Sequence, residues 1–172
     1  DPDDFNAIND MVTRYTLIRD GNISYAKLMS IKDFYENIDL YYEDTKKEGR
    51  YALLIGNDDY KNNLNTPLND VELIAKKLEE QSFKTYTFSN LNLNNFKDAL
   101  LTFSKEAKNA ELSVVYYSGH AYQIGGQNYL IPTGIDENIT AKDAISFSID
   151  LNKFLRQNIP GNKKIIFLDA CR

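Results

Sequence analysis

The sequence predicts an α/β domain with a mostly parallel central sheet and helices on both faces, preceded by an N-terminal helical segment. Three observations carry this prediction. From Tyr51 onward, short apolar runs alternate with stretches whose apolar residues recur every three or four positions, the order of a sheet whose strands are joined by crossover helices. Two of the apolar runs, Leu112–Tyr117 and Lys163–Leu168, stop at the chain's one histidine and its one cysteine. Residues 1–48 lack this alternation and carry the chain's excess of acid.

The elements follow in order. In residues 4–19, Phe5, Ile8, Val12 and Tyr15 recur at helical spacing until Gly21-Asn22 interrupts them; Leu28, Ile31, Tyr35, Ile38 and Tyr42 repeat the pattern. Two helices packed against the main domain are expected, joined to it by the charged link Glu43–Gly49. Tyr51–Ile55 reads as a buried strand. Leu68–Glu80 reads as a helix with Leu68, Val71, Ile74, Ala75 and Leu78 on one face, and Phe83–Phe88 as an alternating strand. Ser89-Asn90 sets a turn, and Leu93–Ala110 is a helix with Phe96, Leu100, Phe103 and Ala107 inward. Leu112–Tyr117 is a central strand, Gly125-Gly126 marks a small hairpin, Ile149–Asn158 is a helix ended by Pro160-Gly161, and Lys163–Leu168 is the last strand. The division is residues 1–48, an acidic helical segment, and residues 49–172, the α/β domain.

Composition narrows the function classes. The 172 residues and 42% hydrophobic content suit one domain with a short extension. No stretch is long and apolar enough for a membrane span, so no membrane partner is expected. One cysteine cannot form an internal disulfide, which makes a reducing, cytoplasmic setting the expectation. Of 25 acidic and 20 basic residues, 11 and 6 fall in residues 1–48, which leaves residues 49–172 formally neutral. Neither part has the basic, aromatic-interleaved face of a nucleic-acid binder.

Cys171 and His120 are each unique and each follow a strand, where an open α/β sheet places reacting groups. A cysteine after a core strand can be a small buried hydrophobe, and an isolated histidine a satisfied turn residue. As a pair they suit a nucleophile and its base: a thiol at its ordinary pKa of about 8.5 is only a few per cent thiolate at neutral pH and needs a proton acceptor. One cysteine and one histidine without further ligand-like spacing do not make a metal site, and no cofactor is expected. Gly56-Asn57-Asp58-Asp59 lacks the glycine spacing of a nucleotide-binding turn.

Five blocks carry a resemblance: Ala52-Leu53-Leu54-Ile55-Gly56-Asn57, Pro67-Leu68-Asn69-Asp70-Val71, Tyr116-Tyr117-Ser118-Gly119-His120, Gln127-Asn128-Tyr129-Leu130-Ile131-Pro132 and Asp169-Ala170-Cys171-Arg172. In this order, over Tyr51 to Arg172, they resemble the caspase/metacaspase family of cysteine peptidases. The aspartate two residues before the cysteine is similar to metacaspases and their bacterial relatives; caspases proper carry glutamine there. The resemblance implies a caspase-like three-layer sandwich, large-subunit portion, with His120 as general base toward Cys171. It implies an oxyanion hole from the backbone amide of Cys171 and of the small residue after the histidine, here Ala121 where glycine is usual, with the Gly119 amide as a further candidate. A backbone carbonyl near Leu64-Asn65-Thr66 is in the region that orients the histidine in this family.

The resemblance also implies specificity. Asp70 and Asp169 stand at positions similar to the acids that line the first substrate pocket of metacaspases, which cleave after arginine or lysine. Asp70 also fits a helix N-terminal acid favoured by the macrodipole. The expected activity is a latent endopeptidase acting on a protein or peptide after basic residues. Cleavage after aspartate and a non-catalytic pseudo-peptidase acting as a binding module are the alternatives. Similar peptidases continue into a small subunit, so the expected partners are the chain's own C-terminal fragment, which would cover an otherwise open Lys163–Leu168 edge, and an activating partner.

Overall fold

The computed structural model describes residues 14–19, 22–25, 36, 49–60, 67–135, 140–161 and 163–170. Its centre is four parallel strands in the order β9-β5-β3-β4, namely β9 (Lys163–Asp169), β5 (Leu112–Ser118), β3 (Arg50–Gly56) and β4 (Lys84–Ser89). Helix α1 (Pro67–Glu80) connects β3 to β4, and α2 (Leu93–Glu106) connects β4 to β5. Between β5 and β9 lie the hairpin β6 (Ala121–Ile124) and β7 (Gln127–Leu130), the short helix α3 (Ala141–Ser146), the two-residue strand β8 (Ile149–Asp150) and α4 (Leu151–Gln157). Strands β6, β7 and β8 form a second, three-stranded sheet.

Continuous apolar runs fit because β3 and β5 are covered on both sides. Side chains of a strand alternate between faces. Ala52, Leu54, Val114, Tyr116, Ile165 and Phe167 therefore meet Val71, Ile74, Ala75 and Leu78 of α1. Their neighbours Leu53, Ile55, Val115, Tyr117 and Ile166 meet Phe96, Ala99, Leu100 and Phe103 of α2 and Leu151 and Phe154 of α4. This is the predicted three-layer arrangement. Helix starts are marked by side-chain caps: Asn92 accepts from the Asn95 amide at 2.9 Å and Asp150 from the Lys153 amide at 3.1 Å. Gly125 and Gly126, at φ 60° and 80°, make the predicted two-residue turn, which requires positive φ at both positions.

The N-terminal segment corrects two expectations. Residues 14–19 of the expected first helix are instead strand β1 (Arg14–Arg19), which pairs antiparallel with β2 (Asn22–Tyr25). Strand β1 also pairs antiparallel with β9 along its length, from Arg14 opposite Leu168 to Arg19 opposite Lys163. The β9 edge expected to lie open is thus covered by the chain's own N-terminal hairpin, whose backbone satisfies the donors and acceptors of Lys163–Leu168. The residues proposed for the second helix, apart from Glu36, lie outside the described residues. At the other boundary, Ile149 and Asp150 belong to β8 and not to the helix that follows, and α2 ends at Glu106 with Ala107 as its cap.

Candidate active site

The C-terminal ends of β3 and β5 are tied together by a buried asparagine. Asn57, fully buried, donates its backbone amide to the Ser118 carbonyl at 2.9 Å and accepts from the Leu91 amide at 2.9 Å through its side chain. Its Nδ2 reaches the Ile131 carbonyl at 3.4 Å. The following loop is held from the β4 side, where Asn90 Oδ1 accepts from the amides of Asp58 and Asp59 at 2.9 and 3.1 Å. Asn90 itself sits at φ 52°, a conformation asparagine tolerates.

His120 emerges from this frame. The strand before it ends at Ser118, and Gly119 follows at φ 158°. A Cβ at Gly119 would come within 2.7 Å of the Tyr117 hydroxyl and 3.0 Å of the Tyr60 hydroxyl, so the close approach of two phenols requires glycine. The half-exposed His120 imidazole lies against the Tyr60 ring, centroids 4.3 Å apart and planes tilted by 48°. Tyr117 donates its hydroxyl to the His120 carbonyl at 2.8 Å.

Of the three amides proposed for oxyanion binding, those of Gly119 and Ala121 belong to described residues, and they differ. The Gly119 N–H donates to the Asp169 carbonyl at 3.2 Å, extending the β5–β9 ladder, and is therefore occupied. Ala121 stands opposite Leu130, one step from the His120/Ile131 position where the ladder bond forms. Antiparallel pairs alternate between bonded and non-bonded types, so the Ala121 N–H points away from β7, at the outer edge of the three-stranded sheet. Ser82 and Asn90 are the described non-glycine residues at positive φ; Ala121 is not among them, so its Cβ imposes no strain there.

Asp169 lies on the α1 face of the sheet, the side from which α1 carries Asp70. Strand alternation puts Tyr116, Ser118 and Asp169 on that side, with Ser118 directly opposite Asp169. Tyr116 donates to Asp169 Oδ2 at 3.1 Å, and Ser118 makes a longer bond to the same oxygen at 3.4 Å. Asp70, 7% exposed, is in the first turn of α1 and acts on the same phenol. Burial raises the Tyr116 pKa well above its usual value, and the Asp169 and Asp70 carboxylates add to the shift. Burial likewise raises the Asp169 carboxyl above 3.8, opposed by its bonds from Tyr116 and Ser118. The phenol therefore stays protonated and donates to a half-desolvated carboxylate.

Cys171 and Leu64-Asn65-Thr66 lie outside the described residues. Reading the sequence did not single out Tyr60, Tyr117 or Asn57 as site residues. The available signal was position: Asn57 and Tyr60 follow a strand at the sheet edge where the site was expected. Among the described residues no group of three His, Cys, Asp or Glu side chains could hold a metal ion, and no helix is long and apolar enough to cross a membrane.

Comparison with known proteins agrees with this geometry. Human mucosa-associated lymphoid tissue lymphoma translocation protein 1 is 25% identical over 125 residues, and its Mus musculus homolog matches equally. Each match covers 72% of this chain but 15% of the relative, so the chain spans a small part of those proteins. The caspase domain family of peptidases, Peptidase C14, matches residues 49–172, which hold the parallel sheet, its helices and the His120 edge. The chain belongs to that family.

Proposed function

We propose that the protein is a cysteine endopeptidase in which His120 deprotonates Cys171, and that it cleaves after arginine or lysine. The observation that supports the pairing is the register of β5 and β9. Ser118 stands opposite Asp169, His120 is two residues beyond the first in sequence, and Cys171 two beyond the second. Parallel strands deliver their following residues to the same sheet edge. In the proposed reaction the Cys171 sulfur attacks the scissile carbonyl as its proton passes to His120. The tetrahedral oxyanion accepts from the amides of Cys171 and Ala121, and His120 returns the proton to the leaving amine. Water then hydrolyses the thioester by the same route.

The preference for basic residues is supported by the partly buried Asp169, which accepts from Tyr116, and by the buried Asp70, whose charge acts on the same phenol. Both described hydroxyl donors use Oδ2 of Asp169, which leaves Oδ1 for a substrate cation. A substrate aspartate would meet like charge at this place. An alanine could block catalysis only if the position needed positive φ; Ala121 is not at positive φ, which favours the peptidase reading over the pseudo-peptidase alternative. A peptide electrophile ending in arginine tests the reading directly in the full-length protein. Mass spectrometry should find it on Cys171, with no labelling of His120→Ala. Labelling that is indifferent to His120, or faster with an aspartyl electrophile, would contradict the proposal.

A further inference from the structure

The β6–β7 ladder is modified where it reaches His120. Ile131 donates to the His120 carbonyl at 3.0 Å, which is one half of the bond pair an antiparallel ladder places here. The reciprocal half runs through a third residue. The Tyr60 hydroxyl accepts from the His120 N–H at 3.3 Å and donates to the Ile131 carbonyl at 2.7 Å.

We propose that Tyr60 is a positioning residue for His120, its hydroxyl fixing the histidine's backbone and its ring fixing the plane of the imidazole. The inference rests on the reading of His120 as general base. Proton allocation supports it. The single Tyr60 proton goes to its shortest acceptor, the Ile131 carbonyl, leaving an oxygen lone pair for the His120 N–H. The single Tyr117 proton has the His120 carbonyl as its shortest acceptor, at 2.8 Å, ahead of the Ile131 carbonyl at 3.0 Å. One phenol thus holds the amide of His120 and the other its carbonyl. Burial raises the pKa of both, so the donors persist across the physiological range.

A packing role alone does not account for the arrangement. Tyr60 is 8% exposed yet belongs to neither apolar cluster flanking the sheet, and its hydroxyl faces three polar partners. Its loop is anchored too: the Tyr60 amide donates to the Asp58 carbonyl at 2.8 Å, and Asn90 clamps the amides of Asp58 and Asp59. A general base must sit within about 3 Å of the proton it takes, and a misplacement of about 1 Å can cost roughly 100-fold in rate.

The test uses the full-length protein with Tyr60→Phe, which removes the hydroxyl, and Tyr60→Leu, which removes the ring as well. Because His120 is the only histidine among residues 1–172, its imidazole proton NMR signals identify it without ambiguity when that segment alone carries the isotope label. In wild type they should be displaced by the Tyr60 ring current. Tyr60→Phe should keep that displacement and lower kcat roughly 2- to 10-fold, the scale of one neutral hydrogen bond. Tyr60→Leu should lose the displacement and lower kcat roughly 100-fold, with KM within about twofold. Imidazole signals unmoved in Tyr60→Leu, or kcat and KM changing there only as protein stability does, would overturn the proposal. If wild type shows no turnover, the peptidase reading fails, while the imidazole signals still decide whether Tyr60 positions His120.

Discussion

Asp169→Asn separates a residue kept for substrate from one kept for stability. The Tyr116 and Ser118 hydroxyls both donate to Oδ2. In the variant the asparagine carbonyl takes the Oδ2 place to keep those bonds, which turns the NH2 into the Oδ1 place. A substrate guanidinium then meets donors where it had met an acceptor with charge. Losing a charged hydrogen bond costs about 1.5–3 kcal/mol, roughly 10- to 150-fold, and the opposed donors put the loss in the upper half of that range. Stability should move the other way. Burial holds the Asp169 pKa above 3.8, so the native state binds its proton more tightly than the unfolded chain. Its contribution is full below about 3.8 and is lost as pH rises through the raised folded value, so at neutral pH the ionised carboxylate opposes folding. Asparagine is free of that loss. The assay is kcat/KM for matched arginine and leucine peptides, alongside urea unfolding from pH 3 to 8. Arginine cleavage should fall by the stated factor with leucine cleavage unchanged, and the neutral-pH midpoint should not drop. An equal fall for both peptides, or a variant less stable than wild type at neutral pH, would refute the reasoning.

Three further outcomes are expected. Cys171→Ala and His120→Ala should each abolish peptide turnover, and the double variant should be little worse than either, because a nucleophile and its base act as one unit. Ala121→Pro removes the amide that points away from β7 and should lower kcat roughly 100- to 1,000-fold, the cost of one oxyanion donor, with unfolding midpoints separating this from damage to the fold; Ala121→Gly should leave kcat within a few-fold. Gly119→Ala should lower stability by about 1–3 kcal/mol in urea unfolding, because its Cβ would sit 2.7 Å from the Tyr117 hydroxyl, whereas a cost under about 0.5 kcal/mol would show that the phenols can move aside.

The sheet and its helices were legible because burial on both faces writes itself into sequence. Leu112–Tyr117 and Lys163–Leu168 are unbroken apolar runs, and Val71, Ile74, Ala75 and Leu78 keep helical period, so β5, β9 and α1 were found within a residue or two. The N-terminal hairpin was misread since Phe5, Ile8, Val12 and Tyr15 satisfy helical spacing. The better signal lay downstream, where Tyr15 and Leu17 alternate with Arg14 and Thr16, and Asp20-Gly21 is a two-residue hairpin sequence. The pocket role of Asp70 and Asp169 rests on resemblance alone; spacing could not suggest it, because the two residues are 99 positions apart. Tyr60 was missed for a similar reason. Its partners, Tyr117, His120 and Ile131, lie 57 to 71 residues away, and no local pattern announces a hydroxyl placed within a ladder bond.

The central claim, a Cys171–His120 peptidase selective for basic residues, is tested most directly by a fluorogenic peptide panel. Its members differ only in arginine, lysine or aspartate before the scissile bond, and the full-length protein is run beside Cys171→Ala. The account predicts cleavage of the arginine and lysine peptides, none of the aspartate peptide, and none of any by the variant. Aspartate cleavage would contradict the assigned specificity, and turnover retained by Cys171→Ala would contradict the mechanism itself.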